Sequence, residues 1–197
     1  MTDLIQEPDD ATPLEPQERE GLLQTWITHR RDLNEAEEES IVKGAWARGR
    51  RRLPLERMLS EDFMRTLHKR MFGEVWQWAG TFRTTERNIG IQAYRIGMEL
   101  ASLLCDIRYW IENKTFSPDE IAIRFHHRLV TIHPFPNGNG RHARLAADLL
   151  IERLGGDPFT WGGGSLATVG ELRARYVAAL RAADNHDIAA LLEFARS

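Results

Sequence analysis

Residues 132–144 read Ile-His-Pro-Phe-Pro-Asn-Gly-Asn-Gly-Arg-His-Ala-Arg, which is a loop sequence that leads into a helix. Two glycines and an asparagine stand where the helix is about to begin. An opening of this kind leaves the first backbone N–H groups of the helix free and aligned, and such groups bind anionic oxygen. The stretch therefore predicts a phosphate-binding loop at a helix N-terminus.

Ionisable side chains flank the predicted pocket. Arg141 and Arg144 are three residues apart, so they share one helix face and both can fork onto phosphate oxygens. His133 precedes the loop, and a histidine can accept a proton from an attacking hydroxyl near neutral pH. Phe135 is the apolar residue in this polar cluster, and we expect it to be buried and to lock the loop. A base, an anion hole and two guanidiniums together suit phosphoryl transfer.

The sequence around this loop is mostly helical. Apolar residues recur at three- and four-residue spacing over residues 96–110. Ser117 looks like a helix cap, with Pro118 in the first helical position and Glu120 placed to complete a capping box. Similar signals predict helices at about residues 17–29, 34–47, 60–71, 139–154, 166–182 and 187–195. Residues 82–91 are the exception, because two short arms around a turn predict a β-hairpin.

Composition restricts the class of protein. The chain has 197 residues, a formal net charge of −3 and one cysteine, and its N-terminus is acidic. The negative charge argues against nucleic acid as a partner, and no stretch is apolar enough for a membrane span. We expect a cytoplasmic protein that binds no membrane. It should have an N-terminal arm with helices over residues 1–54 and one domain over residues 55–197.

Residues 133–144 are similar to the signature of the Fic family, His-x-Phe-x-(Asp/Glu)-Gly-Asn-Gly-(Arg/Lys)-x-x-Arg. The matching positions are His133, Phe135, Gly138, Asn139, Gly140, Arg141 and Arg144. The resemblance extends over roughly residues 55–195, and the arm and the size further resemble the small bacterial Fic proteins called mobile mystery protein B. It implies a mainly α fold, namely a Fido-type helical domain with a β-hairpin flap and a helical N-terminal extension.

The resemblance also implies an activity. A Fic-type protein adenylyltransferase would transfer AMP from ATP, with Mg²⁺, to a Ser, Thr or Tyr hydroxyl of a target protein. His133 would be the base that deprotonates the hydroxyl. Arg141 would contact phosphate near the reacting centre, and Arg144 would hold the γ-phosphate. The anion hole for the α- and β-phosphates would comprise Gly138, Asn139 and Gly140.

A flap that clamps the target protein is the second site that the resemblance implies. It would bind an extended segment of the target by strand addition, in which backbone groups make most of the contacts. Its residues would be Arg83, Thr84, Asn88, Ile89, Gly90 and Ile91.

One position departs from the family pattern. The signature has Asp or Glu where this chain has Asn137, so the residue expected to hold Mg²⁺ is an uncharged amide. Two alternatives therefore stay open. One is phosphate transfer, or removal of AMP, by the same site, and the other is a catalytically weakened module that only binds nucleotide. Gly140 favours AMP transfer, because the related Doc proteins that transfer phosphate lack this second glycine.

Self-inhibition is a further expectation from the resemblance. Many Fic proteins carry a helix with the motif (Ser/Thr)-x-x-x-Glu-(Gly/Asn), whose glutamate binds the second arginine of the signature. Glu39 is the candidate here, although Glu35 stands where Ser or Thr is expected, and Glu20 is a weaker one. Either glutamate would bind Arg144. Without self-inhibition, an antitoxin-like partner is expected to restrain the enzyme.

The remaining histidines and tryptophans are expected to be structural. His126 and His127 should be satisfied donors on a helix beneath the loop, and His142 should face solvent. Trp76 and Trp78 lie beside glycines, and aromatic residues in this setting most often anchor a core.

Overall fold

The structure is a computed structural model that describes residues 20–24, 27, 32–34, 36–37, 53–163 and 168–197. Within these ranges, helical residues at 32–34 and 36–37 precede seven α-helices, and a 3₁₀ turn at Ala93–Arg95 leads into the third. The helices are α1 (Leu55–Met58), α2 (Glu61–Phe72), α3 (Ile96–Glu112), α4 (Pro118–Ile132), α5 (Asn139–Arg153), α6 (Val169–Asp184) and α7 (Ala189–Arg196). The predicted mainly α fold is confirmed. Within the described ranges, no helix combines the length and the apolar surface that a bilayer crossing needs.

Serine side chains cap the starts of α2 and α4. Ser60 and Ser117 each accept a hydrogen bond from the backbone N–H three residues further on, at 3.2 and 3.3 Å. Both predicted helix starts are therefore confirmed. The predicted capping box is only half formed, because the Glu120 carboxylate binds the Arg124 guanidinium at 2.7 Å instead of returning to the cap.

Helices α4 and α5 form the centre of the molecule. Helices α3 and α7 pack against α4, and α2 packs against α5. Phe125 of α4 and Leu150 of α5 are fully buried. Full burial of such a side chain stabilises the fold by about 1.5–3 kcal/mol. Because residues 133–138 connect the two central helices, the core fixes both ends of the predicted phosphate-binding loop.

Residues 20–24 pair with the chain that follows α2. Leu22 and Trp76 form an antiparallel bridge, flanked by two backbone hydrogen bonds of 2.8 Å. The helix predicted over residues 17–29 is therefore wrong over residues 20–24, because the backbone groups there bind another segment. The described residues 32–34 and 36–37 are helical and include the fully buried Leu33. Residues 38–47 of the second predicted helix lie outside the described residues.

Residues 82–91, for which we keep the name flap, form no β-hairpin. The whole segment is described, and it contains no strand and no backbone hydrogen bond from one arm to the other. The Arg83 guanidinium binds both arms instead. Its Nη1 donates to the Thr85 carbonyl oxygen at 2.9 Å, and its Nη2 donates to the Ile91 carbonyl oxygen at 2.5 Å. The predicted hairpin is wrong because this side chain takes carbonyl groups that strand pairing would have used.

Candidate active site

Two left-handed residues bound the loop between the central helices. His133 ends α4 with φ 53° and ψ 60°, and Gly138 caps α5 with φ 77°. For a non-glycine residue such a conformation costs on the order of 1–3 kcal/mol and persists only where the surroundings fix it. A Cβ at Gly138 would lie 2.6 Å from the Phe72 ring, so only glycine fits there. The backbone at both ends of the loop is therefore restricted to one conformation.

The Asn139 side chain braces the loop from within. Its Oδ1 accepts the Phe135 N–H at 2.9 Å, and its Nδ2 donates to the Phe135 carbonyl oxygen at 2.8 Å. Phe135 is fully buried, as predicted, and its ring stacks on His68 with the centroids 3.8 Å apart. Asn139 can therefore offer an anion its backbone N–H but not its side chain.

His68 of α2 joins this loop to the chain that leads into the flap. Its Nδ1 accepts the Gly80 N–H at 3.0 Å, so the ring proton lies on Nε2 and is donated to the Asn137 carbonyl oxygen, also at 3.0 Å. Burial, and next the neighbouring His142, lower the pKa of His68 well below its ordinary value. Sequence analysis missed His68, because its partners are backbone atoms that no side-chain pattern reveals.

The first turn of α5 presents free backbone donors. In the described structure the N–H groups of Asn139, Gly140 and Arg141 bind no protein atom, whereas the His142 N–H binds the Gly138 carbonyl oxygen at 2.9 Å. A Cβ on Gly140 would meet nothing closer than the Tyr176 hydroxyl, at 3.9 Å. Three N–H donors at a helix N-terminus, with open space beside the central one, can bind a phosphate group.

Substitution by alanine should have different effects at Gly138 and Gly140, on stability at the first and on ATP binding at the second. Gly138→Ala should destabilise the fold by roughly 1–3 kcal/mol, because of its positive φ and the clash with Phe72. Gly140→Ala should leave the free energy of unfolding unchanged or raise it by up to about 1 kcal/mol, yet weaken ATP binding by crowding the free N–H groups. Thermal unfolding and calorimetric titration with ATP measure the two effects. Wild-type ATP affinity in Gly140→Ala would show that phosphate binds elsewhere.

The two arginines of α5 have different surroundings. The Arg144 guanidinium carbon lies 5.5 Å from the centroid of the Tyr176 ring, in cation–π range. The Tyr176 hydroxyl is 3.0 Å from Nε2 of the buried His126. Burial raises the pKa of Tyr176 to about 12, so the phenol stays protonated. The Arg144 guanidinium therefore contacts a tyrosine ring whose position is fixed by a hydrogen bond to the buried His126.

Arg141 binds a carboxylate from the N-terminal part of the chain. Its Nη2 donates to Oε2 of Glu37 at 2.7 Å, and Oε1 of Glu37 accepts the Trp76 indole N–H at 2.7 Å. The Glu37 side chain is 1% exposed and that of Arg141 is 28% exposed. The ring of Trp76 stacks on Trp78 with the centroids 4.8 Å apart. A buried glutamate therefore holds a guanidinium that the sequence assigned to phosphate.

Glu39, the predicted inhibitory residue, lies outside the described residues, so its pairing with Arg144 stays a prediction. The structure shows a different contact from the predicted one. The glutamate is Glu37 and not Glu39, and the arginine is Arg141 and not Arg144. Glutamates occupy positions 37 to 39 in succession, and the sequence alone gives no reason to prefer one. The Trp76 indole, 39 residues away, selects Glu37.

His133 lies against the flap. It is 7% exposed, and a Cβ on Gly90 would be 2.7 Å from the His133 Cβ. Burial, and next the charge of Arg83, lower the pKa of His133 to about 4. The ring is therefore neutral at pH 7, which is the state that a general base needs. Of the other predicted flap residues, Ile91 is half-buried and three are exposed, namely Thr84, Asn88 and Ile89.

His142 and His126 belong to the interior as well. His142 is 1% exposed with Nε2 3.1 Å from the Met64 carbonyl oxygen, so the prediction that it faces solvent is wrong. Helix α5 is buried on this side because α2 packs against it. Burial lowers the pKa of His142 to about 4 and that of His126 to about 3.

These buried histidines should make the fold sensitive to acid. In the unfolded chain each titrates near pH 6.5, so between about pH 6.5 and pH 4 the unfolded state binds more protons and the free energy of unfolding falls as the pH falls. His133 and His142 should each remove about 2 kcal/mol between pH 7 and pH 5. Urea unfolding at the two pH values measures the total. The drop should be smaller in His142→Asn, and an equal drop would contradict this assignment.

Asn137 offers one neutral oxygen to a metal ion. Its Oδ1 already accepts the Gly138 N–H, at 2.7 Å. Among the described residues, no three His, Cys, Asp or Glu side chains cluster in a way that could hold a metal. Mg²⁺ prefers oxygen ligands and commonly binds through nucleotide phosphates and water. Asn137 therefore fits a Mg²⁺ ion that arrives with the nucleotide, and the described residues offer no site for a metal held by protein ligands alone.

The helical fold and this loop together define a known class of protein. Residues 58–151 match the model of the Fic/DOC family, and this range contains the flap, His133, the loop and both arginines of α5. Residues 58–151 of this chain therefore form a Fic/DOC domain.

Similar proteins have been named for their activity. Protein adenylyltransferase fic-1 of Caenorhabditis elegans is 33% identical over 134 residues, which are 66% of this chain and 25% of that protein. Protein adenylyltransferase Fic of Drosophila grimshawi is 30% identical over 132 residues, which are 65% of this chain and 26% of that protein. This chain thus spans about a quarter of the length of these relatives.

Solved Fic structures share the fold. Fic-1 of C. elegans superposes with a TM-score of 0.61 at 25% identity, covering 90% of this chain and 56% of that one. BepC, a VirB-translocated effector protein of Bartonella tribocorum solved with bound AMPPNP, gives a TM-score of 0.66 at 20% identity and covers 92% and 97% of the two chains. At that identity the second comparison concerns the fold alone.

Proposed function

We propose that this chain is a protein adenylyltransferase, which transfers AMP from ATP to a Ser, Thr or Tyr hydroxyl of a target protein. One observation carries the proposal. A buried neutral imidazole, His133, stands at one end of a fixed loop whose other end opens α5 with three free N–H donors. The similarity to relatives named protein adenylyltransferases supports AMP as the transferred group.

In the proposed reaction the target hydroxyl oxygen attacks the α-phosphorus of ATP. A bond forms between these atoms, and the bond from the α-phosphorus to the oxygen that bridges the β-phosphorus breaks. Pyrophosphate leaves, and the target keeps AMP as a phosphodiester. His133 takes the hydroxyl proton. Its pKa of about 4 makes the free imidazole a weak base, and the negative charge of bound polyphosphate would raise that pKa toward the working pH.

The first turn of α5 would stabilise the phosphates. The free N–H groups of Asn139, Gly140 and Arg141 would bind phosphate oxygens, whereas the Gly138 N–H is occupied by Asn137. The Arg141 side chain would act near the reacting centre, and that of Arg144 would hold the γ-phosphate. Mg²⁺ bound with ATP would neutralise phosphate charge, and Asn137 is the residue that could contact it.

Two alternatives use the same site. Transfer of the γ-phosphate, or removal of AMP from a modified target, would need the same base and donors. A module that only binds nucleotide would follow from the neutral Asn137. The open space beside Gly140 lets a phosphate group approach the helix start, and the relatives named protein adenylyltransferases favour AMP transfer over the alternatives.

Labelled nucleotide separates these functions. The purified chain is incubated with Mg²⁺, a cell lysate and ATP labelled at either the α- or the γ-phosphate. We expect label in protein from α-labelled ATP alone, with the mass of AMP added to the modified residue. Label from the γ-position alone would establish phosphate transfer. ATP binding by calorimetry without label from either position would exclude both transfer reactions and leave AMP removal or a binding module.

We also propose that residues 55–197 form the catalytic unit and that residues 1–54 regulate it. The burial of Glu37 against Arg141 supports this division, because it joins the two parts at the proposed phosphate site. If Glu37 restrains the enzyme, inhibition lies within the chain itself. An antitoxin-like partner is the alternative source of restraint.

A further inference from the structure

Arg83 is a charged residue in the interior, next to the candidate base. It opens the flap and is only 3% exposed. Its backbone N–H donates to the Pro134 carbonyl oxygen at 2.9 Å, so this arm of the flap lies against the first residues of the loop. Burying a guanidinium is costly unless hydrogen bonds replace its water shell. The groups that Arg83 binds therefore indicate its role.

The Arg83 guanidinium donates hydrogen bonds both to the end of α4 and to the flap. One set of bonds goes to the end of α4, where Nε donates to the His133 carbonyl oxygen at 2.7 Å and Nη2 lies 3.4 Å from the Ile132 carbonyl oxygen. The other set goes to the two arms of the flap, at Thr85 and Ile91. A planar fork with several N–H donors can bind groups in these separate directions, and a single ammonium cannot.

The bond to the His133 carbonyl bears on the strained residue of the site. His133 has a left-handed backbone, and Nε of Arg83 holds its carbonyl group in that orientation. The flap also touches His133 directly. A Cβ on Gly90 would lie 2.7 Å from the His133 Cβ and 3.0 Å from Nη2 of Arg83, so Gly90, the guanidinium and the first side-chain carbon of His133 are packed against one another.

We propose that Arg83 is a positioning residue that couples the flap to His133, so that the position of the flap sets the orientation of the imidazole. The proposal rests on the proposed function, since it concerns the base of that reaction. Arg83 touches neither ATP nor the target hydroxyl in this role. It acts through the backbone of His133 at one end and through Thr85 and Ile91 at the other. The free N–H groups of α5, which would bind ATP, are not among its partners.

Arg83→Lys tests the coupling, because it keeps the positive charge and removes the planar fork. The full chain is assayed with α-labelled ATP and a fixed amount of lysate over a range of ATP concentrations. We expect the maximal rate of label incorporation to fall roughly tenfold to 100-fold, as expected for a misplaced catalytic group. The KM for ATP, and the Kd for ATP from calorimetry, should stay within about twofold of wild type. A merely structural role would instead lower the Tm and weaken ATP binding together.

Arg95→Lys is the matched control, because Arg95 flanks the other end of the flap and its described ion pair is with Glu99, four residues further along the chain. It should keep the wild-type rate. Gly90→Ala is the second test, in case Arg83→Lys fails to fold. Its Cβ would push the flap from His133 without removing Arg83, and we expect the same loss of rate with ATP affinity retained. A wild-type maximal rate in either folded variant overturns the coupling. If wild type itself transfers no label, the proposed function fails instead.

Discussion

Replacing His133 with alanine is expected to abolish AMP transfer while leaving ATP binding intact. The imidazole is buried and neutral and is the base of the proposed reaction, and loss of a general base typically costs 10²–10⁴-fold in rate. The free N–H groups of α5 and the side chain of Arg144 are untouched by the change. Incorporation of label from α-labelled ATP measures the first effect, and calorimetric titration with ATP measures the second.

His186→Ala is the matched control for this variant. His186 also has a left-handed backbone, with φ 70°, but it is exposed in the turn between α6 and α7. Both variants therefore change a histidine to alanine at a positive φ, and only one of them removes the proposed base. Equal labelling by His133→Ala and wild type would show that another group takes the proton.

Glu37→Gln is expected to strengthen ATP binding and to accelerate transfer. The amide keeps an oxygen for the Trp76 indole N–H, so the packing around it survives, but the negative charge facing Arg141 is lost. A hydrogen bond to a charged group contributes about 1.5–3 kcal/mol. Because 1.4 kcal/mol corresponds to a factor of ten, releasing part of this energy should lower the Kd for ATP about tenfold.

Glu61→Gln serves as the control for charge removal. Glu61 pairs with Arg65 at 2.8 Å on the exposed surface of α2, so its loss alters the net charge equally. It should leave both the Kd for ATP and the rate unchanged, since exposed pairs contribute little. An unchanged or weaker ATP affinity in Glu37→Gln would mean that the Glu37–Arg141 pair helps to form the site and does not restrain it.

The parts of the fold that depend on local signals were predictable. Ser60 and Ser117 begin helices because a hydroxyl caps the nearest backbone N–H groups, and that chemistry is visible in a few consecutive residues. The loop of residues 133–138 was placed for the same reason. Its glycine and phenylalanine, together with Asn139 at the start of α5, act on neighbouring residues, as the two bonds between Asn139 and Phe135 show.

The parts that depend on distant partners were not predictable. The flap has the composition of a hairpin, but the Arg83 side chain binds its carbonyl groups, and no residue pattern encodes that choice. His142 was expected to face solvent because it follows an arginine, whereas the packing of α2 buries it. Glu37 reaches Arg141 across 104 residues of sequence, and only the folded chain brings the two together.

The contact between Glu37 and Arg141 couples docking of the N-terminal segment to nucleotide binding, and this coupling is reciprocal. If docking of the N-terminal segment weakens nucleotide affinity by some factor, bound nucleotide must weaken that docking by the same factor. A rise in ATP concentration would then weaken the contacts of this segment with Trp76 and Arg141. The fraction of molecules with the N-terminal segment docked would therefore respond to the ATP concentration.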